Sequence, residues 1–479
     1  FATALLSLDL KRGGSVCILM GNVPEWPISD IGAIIAGGVG VGLYPTSSAE
    51  QIAYIINHSD AEFVLVDSQE QLQKVLSIRD QLAKVRHVIA LDAGSSSDVI
   101  SYRDFIARGQ AERSRLASLL TERAEGAKPD DVAIMVYTSG TTGAPKGACL
   151  SHRYILNSVE SLRQTTPIYD TDVSFSYLPF CHVAERISGL YNRLYAGASA
   201  YFVDDLARFG EYMLEVKPTV FASLPRFFEK IHARIVADGN RLPVKDYFGG
   251  RIRLATSGGA PLPLEVAEFF AAAGLPILQA YGLTENVCVA FNRPDKYKFG
   301  TVGPPMPGCE VRIAPDKEIL VRSEMMFSGY YKAPDETAKV FADGWLLTGD
   351  LGEIDEDGFL KIIGRKKELI VTSTGKKVSP ALLENMLKEH HLISQAMVYG
   401  EGRSYLVALI TLNGPATRES IQLIVDGVNR RVSSTESIKR FAILDRDFEI
   451  ARDEITPTGK LKRDVITDRF RDVIDGLYS

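Results

Sequence analysis

Short apolar runs rich in β-branched side chains recur along roughly the first 290 residues: SVCILM (15–20), EFVLVD (62–67), HVIAL (87–91), VAIMVY (132–137), SFSYLP (174–179), TVFASL (219–224) and RIRLATS (251–257). Runs of this length, bounded by polar and glycine-rich residues, predict buried strands. Between them, apolar positions in 24–40, 70–85, 153–163 and 208–216 return at helical spacing. Strands and helices in alternation predict an α/β fold with layered, mainly parallel sheets. From about residue 300 the texture changes. GPPMPGCEVRI (303–313) leads into short strands, EILV (318–321) and FLKII (359–363), which predict a smaller β-rich subdomain.

Beyond Gly364 the chain turns basic, RKKELIVTSTGKK (365–377). SPALLENMLKEH (379–390) then predicts a helix, with Ser379 as N-cap, Pro380 at its first position and Leu383, Met386 and Leu387 on one apolar stripe. AMVYGEGRSYLVALITL (396–412) predicts a hairpin, and the charged end a helix. The boundary is therefore expected at 364/365, giving a large N-terminal domain (1–364) and a small mobile α+β C-terminal domain (365–479). The opening FATALLSLDLKRGGSVCILMGN reads as an amphipathic helix leading into a strand. The longest apolar run, IGAIIAGGVGVGLY (31–44), falls short of a membrane span and is heavy in glycine, so it is expected to be a buried helix packed on a sheet. Any membrane contact would then be peripheral.

Composition narrows the field. A net charge of −6 argues against general nucleic-acid binding. The five cysteines are scattered without a C-x-x-C, which points to reduced thiols in a cytosolic setting and to no zinc site.

One stretch carries unusual chemistry: YTSGTTGAPKGACLSH (137–152). It leaves a predicted strand and offers hydroxyls on Thr138, Ser139, Thr141 and Thr142, glycines at 140, 143 and 147, and the cation of Lys146. Glycines turn backbone N–H groups toward a ligand, hydroxyls donate hydrogen bonds and the lysine adds charge, so the stretch reads as a polyphosphate cradle. It is not a Walker loop, because Pro145 and Gly147 stand where that motif needs glycine and Ser/Thr. A surface loop is the bland alternative.

Other stretches are similar in kind. SGGAPL (257–262) offers backbone at Gly258 and Gly259 to a flat base, or is an ordinary turn with Pro261 opening a helix. QAYGLTE (279–285) is expected to leave a strand and ends in Thr284 and Glu285, a hydroxyl and a carboxylate suited to phosphate and Mg²⁺ or merely solvated. WLLTGD (345–350) places Asp350 after a turn, where a carboxylate can accept from ribose hydroxyls or cap a helix. Arg365 in GRKK and Lys460 in TPTGKLKR (456–463) are a cation in a basic cluster and a cation in a turn.

Taken in order, TSGTTGAPKG, SGGAP, YGLTE, TGD, GRKKELI and TGKLKR resemble the core motifs of the adenylate-forming superfamily over nearly the whole chain. Within it, LPFCHVAERISGLYNRLYAGA (178–198), KPTVFASLPRFFEKI (217–231) and DRDFEI (445–450) look most like long-chain fatty acyl-CoA synthetases. The resemblance implies that Thr138, Ser139, Gly140, Thr141, Thr142, Gly143 and Lys146 cradle the β- and γ-phosphates of ATP. It implies that Gly258, Gly259, Ala260, Pro261, Tyr281 and Gly282 form the adenine pocket, that Thr284 bonds phosphate and that Glu285 holds Mg²⁺. Asp350 matches the ribose carboxylate, Arg365 a ribose or phosphate contact, His182 an aromatic position beside the acyl carboxylate, and Lys460 the catalytic lysine.

The implied reaction has two halves: a fatty carboxylate attacks MgATP to give an acyl adenylate, then coenzyme A takes the acyl group. The family's C-terminal domain rotates between them on a hinge matching Lys367, which brings in Gly375 of TSTGKK (372–377) beside the pantetheine. Transfer to a carrier protein, and a medium-chain or aryl acid, stay open as alternatives. Luciferase-type oxidation has no feature calling for it, and a non-catalytic binder would be expected to lack Lys460 or Glu285, both present. A homodimer, and a cytoplasmic protein in peripheral contact with the inner face of a membrane, are expectations from the resemblance and the poorly soluble substrate. The joins between KIHARI (230–235) and FGGRIRL (248–254), and between ALITL (408–412) and SIKRFAIL (437–444), are shorter than such synthetases usually show.

Overall fold

The computed structural model describes every residue except 95–97, 139–143, 240, 435 and 457–458. Its first layer is a seven-stranded sheet, in spatial order Val99–Ser101, His87–Ala90, Ala61–Val66, Ser15–Leu19, Val39–Gly42, Val132–Thr138 and Lys146–Ser151. All neighbours are parallel except the last pair. The strands are buried on both faces, which is why they read as continuous apolar runs rather than alternating ones. At the far edge, Lys146–Ser151 does not stay bare. Cys149 N–H donates to Gly329 O, Ser328 N–H to Cys149 O and Tyr331 N–H to Gly147 O, so residues 328–331 lie along it.

A second sheet follows the order Val220–Ser223, Leu254–Ser257, Ile277–Leu283, Asn286–Phe291, parallel until its final hairpin. A third, antiparallel, contains Cys309–Ile313, Glu318–Ser323, the long strand Trp345–Ile354 and Leu360–Arg365. Past it, Ile393–Tyr399, Leu406–Leu412 and Ile438–Ile443 form a three-stranded sheet backed by the helices Pro380–Lys388 and Arg418–Asn429. Two apolar clusters built from Ile370 onward make the core of this C-terminal lobe.

Several local expectations change. Residues 31–44 are not one helix: Glu25–Ile35 ends, Gly37 turns the chain at φ +76, and Val39–Gly42 enters the sheet. The reason lies in what crosses that strand. A Cβ on Gly40 would stand 2.1 Å from Asp30 Oδ1, and one on Gly42 2.8 Å from Cys181. Tyr281 and Gly282 lie within the strand Ile277–Leu283, with Thr284 and Glu285 in the hairpin turn beyond it. Asp350 sits inside Trp345–Ile354 rather than after a turn. Pro261 does not open the following helix, which starts at Leu264. Ser379 precedes its helix, but its hydroxyl donates to Ile363 O at 3.0 Å instead of capping.

Beneath the sheets' junction lies a fully buried ion pair. Asp30 accepts from Arg186 Nε at 3.1 Å and also from Nη2, and Tyr191 Oη donates to the same carboxylate at 2.6 Å. The guanidinium also sits over the Trp26 ring, 5.1 Å from its centroid. Breaking such a pair leaves a charge uncompensated in low dielectric. Asp30→Ala is therefore expected to lower the stability of the N-terminal lobe by about 3–5 kcal/mol in urea unfolding. A loss under about 1 kcal/mol would mean that Arg186 finds water or another partner.

Candidate active site

The second and third sheets and the C-terminal lobe enclose a cavity of about 2450 Å³. Thr138, Lys146, His182, Gly258, Gly259, Ala260, Pro261, Tyr281, Gly282, Thr284, Glu285, Asp350, Arg365, Lys367 and Lys460 all line it. Residues from both ends of the chain thus meet in one space. Ser139, Gly140, Thr141, Thr142 and Gly143 lie outside the described residues, between the paired strand ends Thr138 and Lys146. Gly375 is not on the wall. It sits at φ +74 in the turn of the small hairpin Ile370–Val371/Lys377–Val378, with its N–H donating to Thr372 O at 2.8 Å.

Charge is organised around Asp350. This carboxylate is 6% exposed and accepts from Arg365 Nε at 2.7 Å and from Tyr281 Oη at 2.6 Å. Burial, and then the Asp350 charge, raise the Tyr281 phenol well above its ordinary value, so it remains a donor. Each carboxylate oxygen keeps a second lone pair for a further hydroxyl. Lys460 lines the same space, and its carbonyl accepts from Thr456 N–H at 2.8 Å. Crowding by protein, and then Arg365, pull its ammonium down, while Asp350, Glu368 and Glu285 oppose the fall. His182 lines the same space. Its Nδ1 accepts from Ala184 N–H at 3.2 Å, which leaves the neutral ring's proton on Nε2. The π-helix Ala184–Tyr191 begins two residues later and is anchored by Arg186, paired to Asp30.

Three side chains without a local sequence signature complete the end of the cavity around Lys146 and Glu285. Tyr330 Oη donates to Glu285, and its ring carries the Lys146 ammonium 5.2 Å from the centroid. Lys146 is ion-paired to Glu336, which also holds Lys339. Lys146 first and Lys339 second hold the Glu336 carboxyl down at about 2. GYYKAPDE (329–336) differs from an ordinary loop only in its paired tyrosines, so the sequence pointed past it. Glu285 and Thr284 offer a hard cation oxygen donors only, and no cluster of three or more His, Cys, Asp or Glu able to hold a metal exists among the described residues. A donor set of one carboxylate fits Mg²⁺, which keeps water and takes phosphate oxygens for the rest of its shell.

Residues 1–331 match the family model described as AMP-binding enzyme, and residues 367–479 the one described as AMP-binding enzyme C-terminal domain. The chain is 33% identical over 550 aligned positions to the long-chain-fatty-acid–CoA ligase FadD15 of Mycobacterium bovis, covering all of this chain and 90% of that one. It is 31% identical over 577 positions to the long-chain-fatty-acid–CoA ligase ACSBG1 of Rattus norvegicus, covering all of this chain and 80% of that one. Both alignments are longer than the 479 residues here, so these relatives carry segments without a counterpart. Among solved structures, the anthranilate CoA ligase AuaEII with anthranoyl-AMP superposes with a TM-score of 0.85 at 23% identity, over 99% of this chain and 90% of that one. ATP-bound MatB from Rhodopseudomonas palustris gives 0.79 at 24% identity, over 98% and 92%. At such identities the likeness is one of fold.

Burial, and then the Lys460 charge, push His182 down to about 4 from its ordinary 6.5. The unfolded chain takes up that proton first as pH falls, so this residue's contribution to stability is intact above about 6.5 and is lost progressively toward about 4. NMR titration of the imidazole, assigned by its absence in His182→Gln, is expected to show no inflection at neutral pH. A midpoint near 6 would mean that water solvates the ring.

Proposed function

The chain belongs to the AMP-binding enzymes, and we propose that it is a long-chain fatty acid–CoA ligase whose two half-reactions are run by the cavity residues described above. The first joins a fatty carboxylate to the α-phosphorus of ATP and releases pyrophosphate. The second lets the coenzyme A thiol attack the acyl carbonyl and expels AMP. The observation that carries this reading is the meeting of Lys146, His182, Glu285, Asp350, Arg365 and Lys460 in one cavity, from six separate stretches of the chain.

Two anions must approach each other in the first step, and fixed charge is the means of stabilising them. We assign Lys460 to the contact between acyl carboxylate and α-phosphate. His182, neutral with Nε2–H available, donates beside the carboxylate without adding a charge that would hold it back. Lys146 and the stretch 138–147 receive the β- and γ-phosphates, Lys146 exchanging Glu336 for phosphate oxygen. Asp350 accepts the ribose hydroxyls on its remaining lone pairs, with Arg365 keeping it ionised and oriented. Gly258–Pro261 and Tyr281–Gly282 border the base, and Thr284 bonds phosphate. Glu285 would hold Mg²⁺, which when bound neutralises developing phosphate charge.

The domains are taken as 1–364 and 365–479 with Lys367 as hinge. Lys460 on the cavity wall and Gly375 off it suit the first half-reaction; rotation about Lys367 would exchange them. The acid's low solubility favours peripheral contact with a bilayer, and no helix among the described residues is long and apolar enough to cross one.

Incubation with MgATP and palmitate, with and without coenzyme A, tests the whole reading by mass spectrometry. Palmitoyl-CoA, AMP and pyrophosphate are expected. Palmitoyl-AMP that persists in coenzyme A would instead point to a carrier-protein acceptor, and no product would exclude the acid. Lys460→Ala is expected to lose adenylation by at least about 100-fold and still convert added palmitoyl-AMP. Gly375→Leu is expected to keep adenylation, which also reports its folding, and to lose thioester formation. Equal loss of both steps in both variants would sink the division of labour.

A further inference from the structure

The helix Pro225–Ala237 begins at the cavity and sends its first arginine into the other lobe. Arg226 Nη2 donates to Ser394 Oγ and to Asn413 Oδ1, each at 3.0 Å, while Nη1 is steadied by Glu229 one turn along at 3.3 Å. Both acceptors belong to the C-terminal lobe: Ser394 lies in the strand Ile393–Tyr399 and Asn413 just follows Leu406–Leu412. Ser394 is buried and Asn413 exposed, and both are held in place by further hydrogen bonds. Ser394 Oγ donates to Asp447 Oδ2 at 2.7 Å, which turns its lone pairs toward the arginine. Asn413 Nδ2 donates to the carbonyls of His391 and Ile393 at 2.7 and 3.1 Å, which fixes its Oδ1 outward.

The same turn of chain also touches the cavity. Leu224 lines the wall, and a Cβ on Gly259 would stand 3.3 Å from its Cδ2. One end of the turn therefore borders the proposed adenylate, and two residues later the chain grips the lobe that carries Lys460.

We propose that Arg226 is the latch holding the C-terminal lobe in the orientation that presents Lys460 to the cavity, and so a positioning residue for the adenylation half-reaction. The proposal rests on the two-step reading above. Both bonds leave the one nitrogen Nη2, whose two hydrogens the planar guanidinium holds in fixed directions while Nη1 is tied back to Glu229; a lysine ammonium on a flexible stem lacks that second anchor. Because both acceptors are neutral, the contact is strong enough to bias the orientation and weak enough to release for the second step. Hydrogen bonds from a charged donor of this kind bias an equilibrium by roughly tenfold.

The test compares Arg226→Ala with the unaltered protein in three measurements. Pyrophosphate release from MgATP and palmitate without coenzyme A is expected to slow about tenfold. Conversion of added palmitoyl-AMP and coenzyme A to thioester is expected to stay level or rise. Energy transfer between dyes placed on the two lobes is expected to show a shift away from the Lys460-in arrangement. Arg226→Lys should recover part of the adenylation rate, and Arg226→Ala combined with Asn413→Ala should cost no more than the larger single loss. Parallel loss of both half-reactions, additive effects of Arg226 and Asn413, or unchanged energy transfer would each overturn the latch. If the unaltered protein makes no adenylate from palmitate, the substrate reading fails, and the energy-transfer comparison still decides the latch.

Discussion

The site depends on a charge pair that water never reaches. Asp30 and Arg186 are both fully buried, so each must find its partners inside the protein or pay the cost of desolvation alone. The arrangement that satisfies them has the helix Glu25–Ile35 on one side, the π-helix Ala184–Tyr191 on the other, and Gly40 between with no side chain to keep them apart. That arrangement fixes more than itself. Arg186 N–H donates to His182 O, and its Nη1 approaches Met135 O on the strand that runs up to Thr138. His182 and the strand leading to Thr138 are thereby built on one frame. Within the π-helix, Glu185 is paired to Arg193 while Arg186 turns to Asp30.

Above this frame the charges stand ready in pairs. Arg365 is held by Asp350, and Lys146 by Glu336 with Tyr330 as a platform. Under the proposed assignment, a nucleotide arriving in the cavity exchanges partners with groups already in place, so little reorganisation is left to the reacting step. His182 adds a donor without adding charge, because burial keeps it neutral.

The layered fold was legible because strands buried on both faces cannot avoid long apolar runs. Residues 31–44 misled for a related reason: Gly40 and Gly42 were chosen by what crosses the strand, and glycine erases the apolar period that would have marked it. The candidate site was legible through the order of its motifs, since Lys146, Glu285, Asp350 and Lys460 are each unremarkable alone. Their local settings were not. Asp350 reads as following a turn because Gly349 is there, yet Gly349 at φ +71 only kinks a strand that continues. Tyr330 and Glu336 matter through contacts 45 and 190 residues away in sequence, and Asp30 meets Arg186 across 156. No window along the chain contains both members of such pairs.

The covering of the strand Lys146–Ser151 by residues 328–331 has a consequence for how the protein is made. That edge offers a row of backbone donors and acceptors to any extended chain that comes near. On the ribosome it emerges long before its cover does, because some 180 residues must be translated between them. Throughout that interval the nascent sheet is complete enough to present the edge and has nothing of its own to close it. The stretch of synthesis from the strand Lys146–Ser151 to the paired tyrosines is thus the period in which strand addition from a neighbouring chain competes with folding.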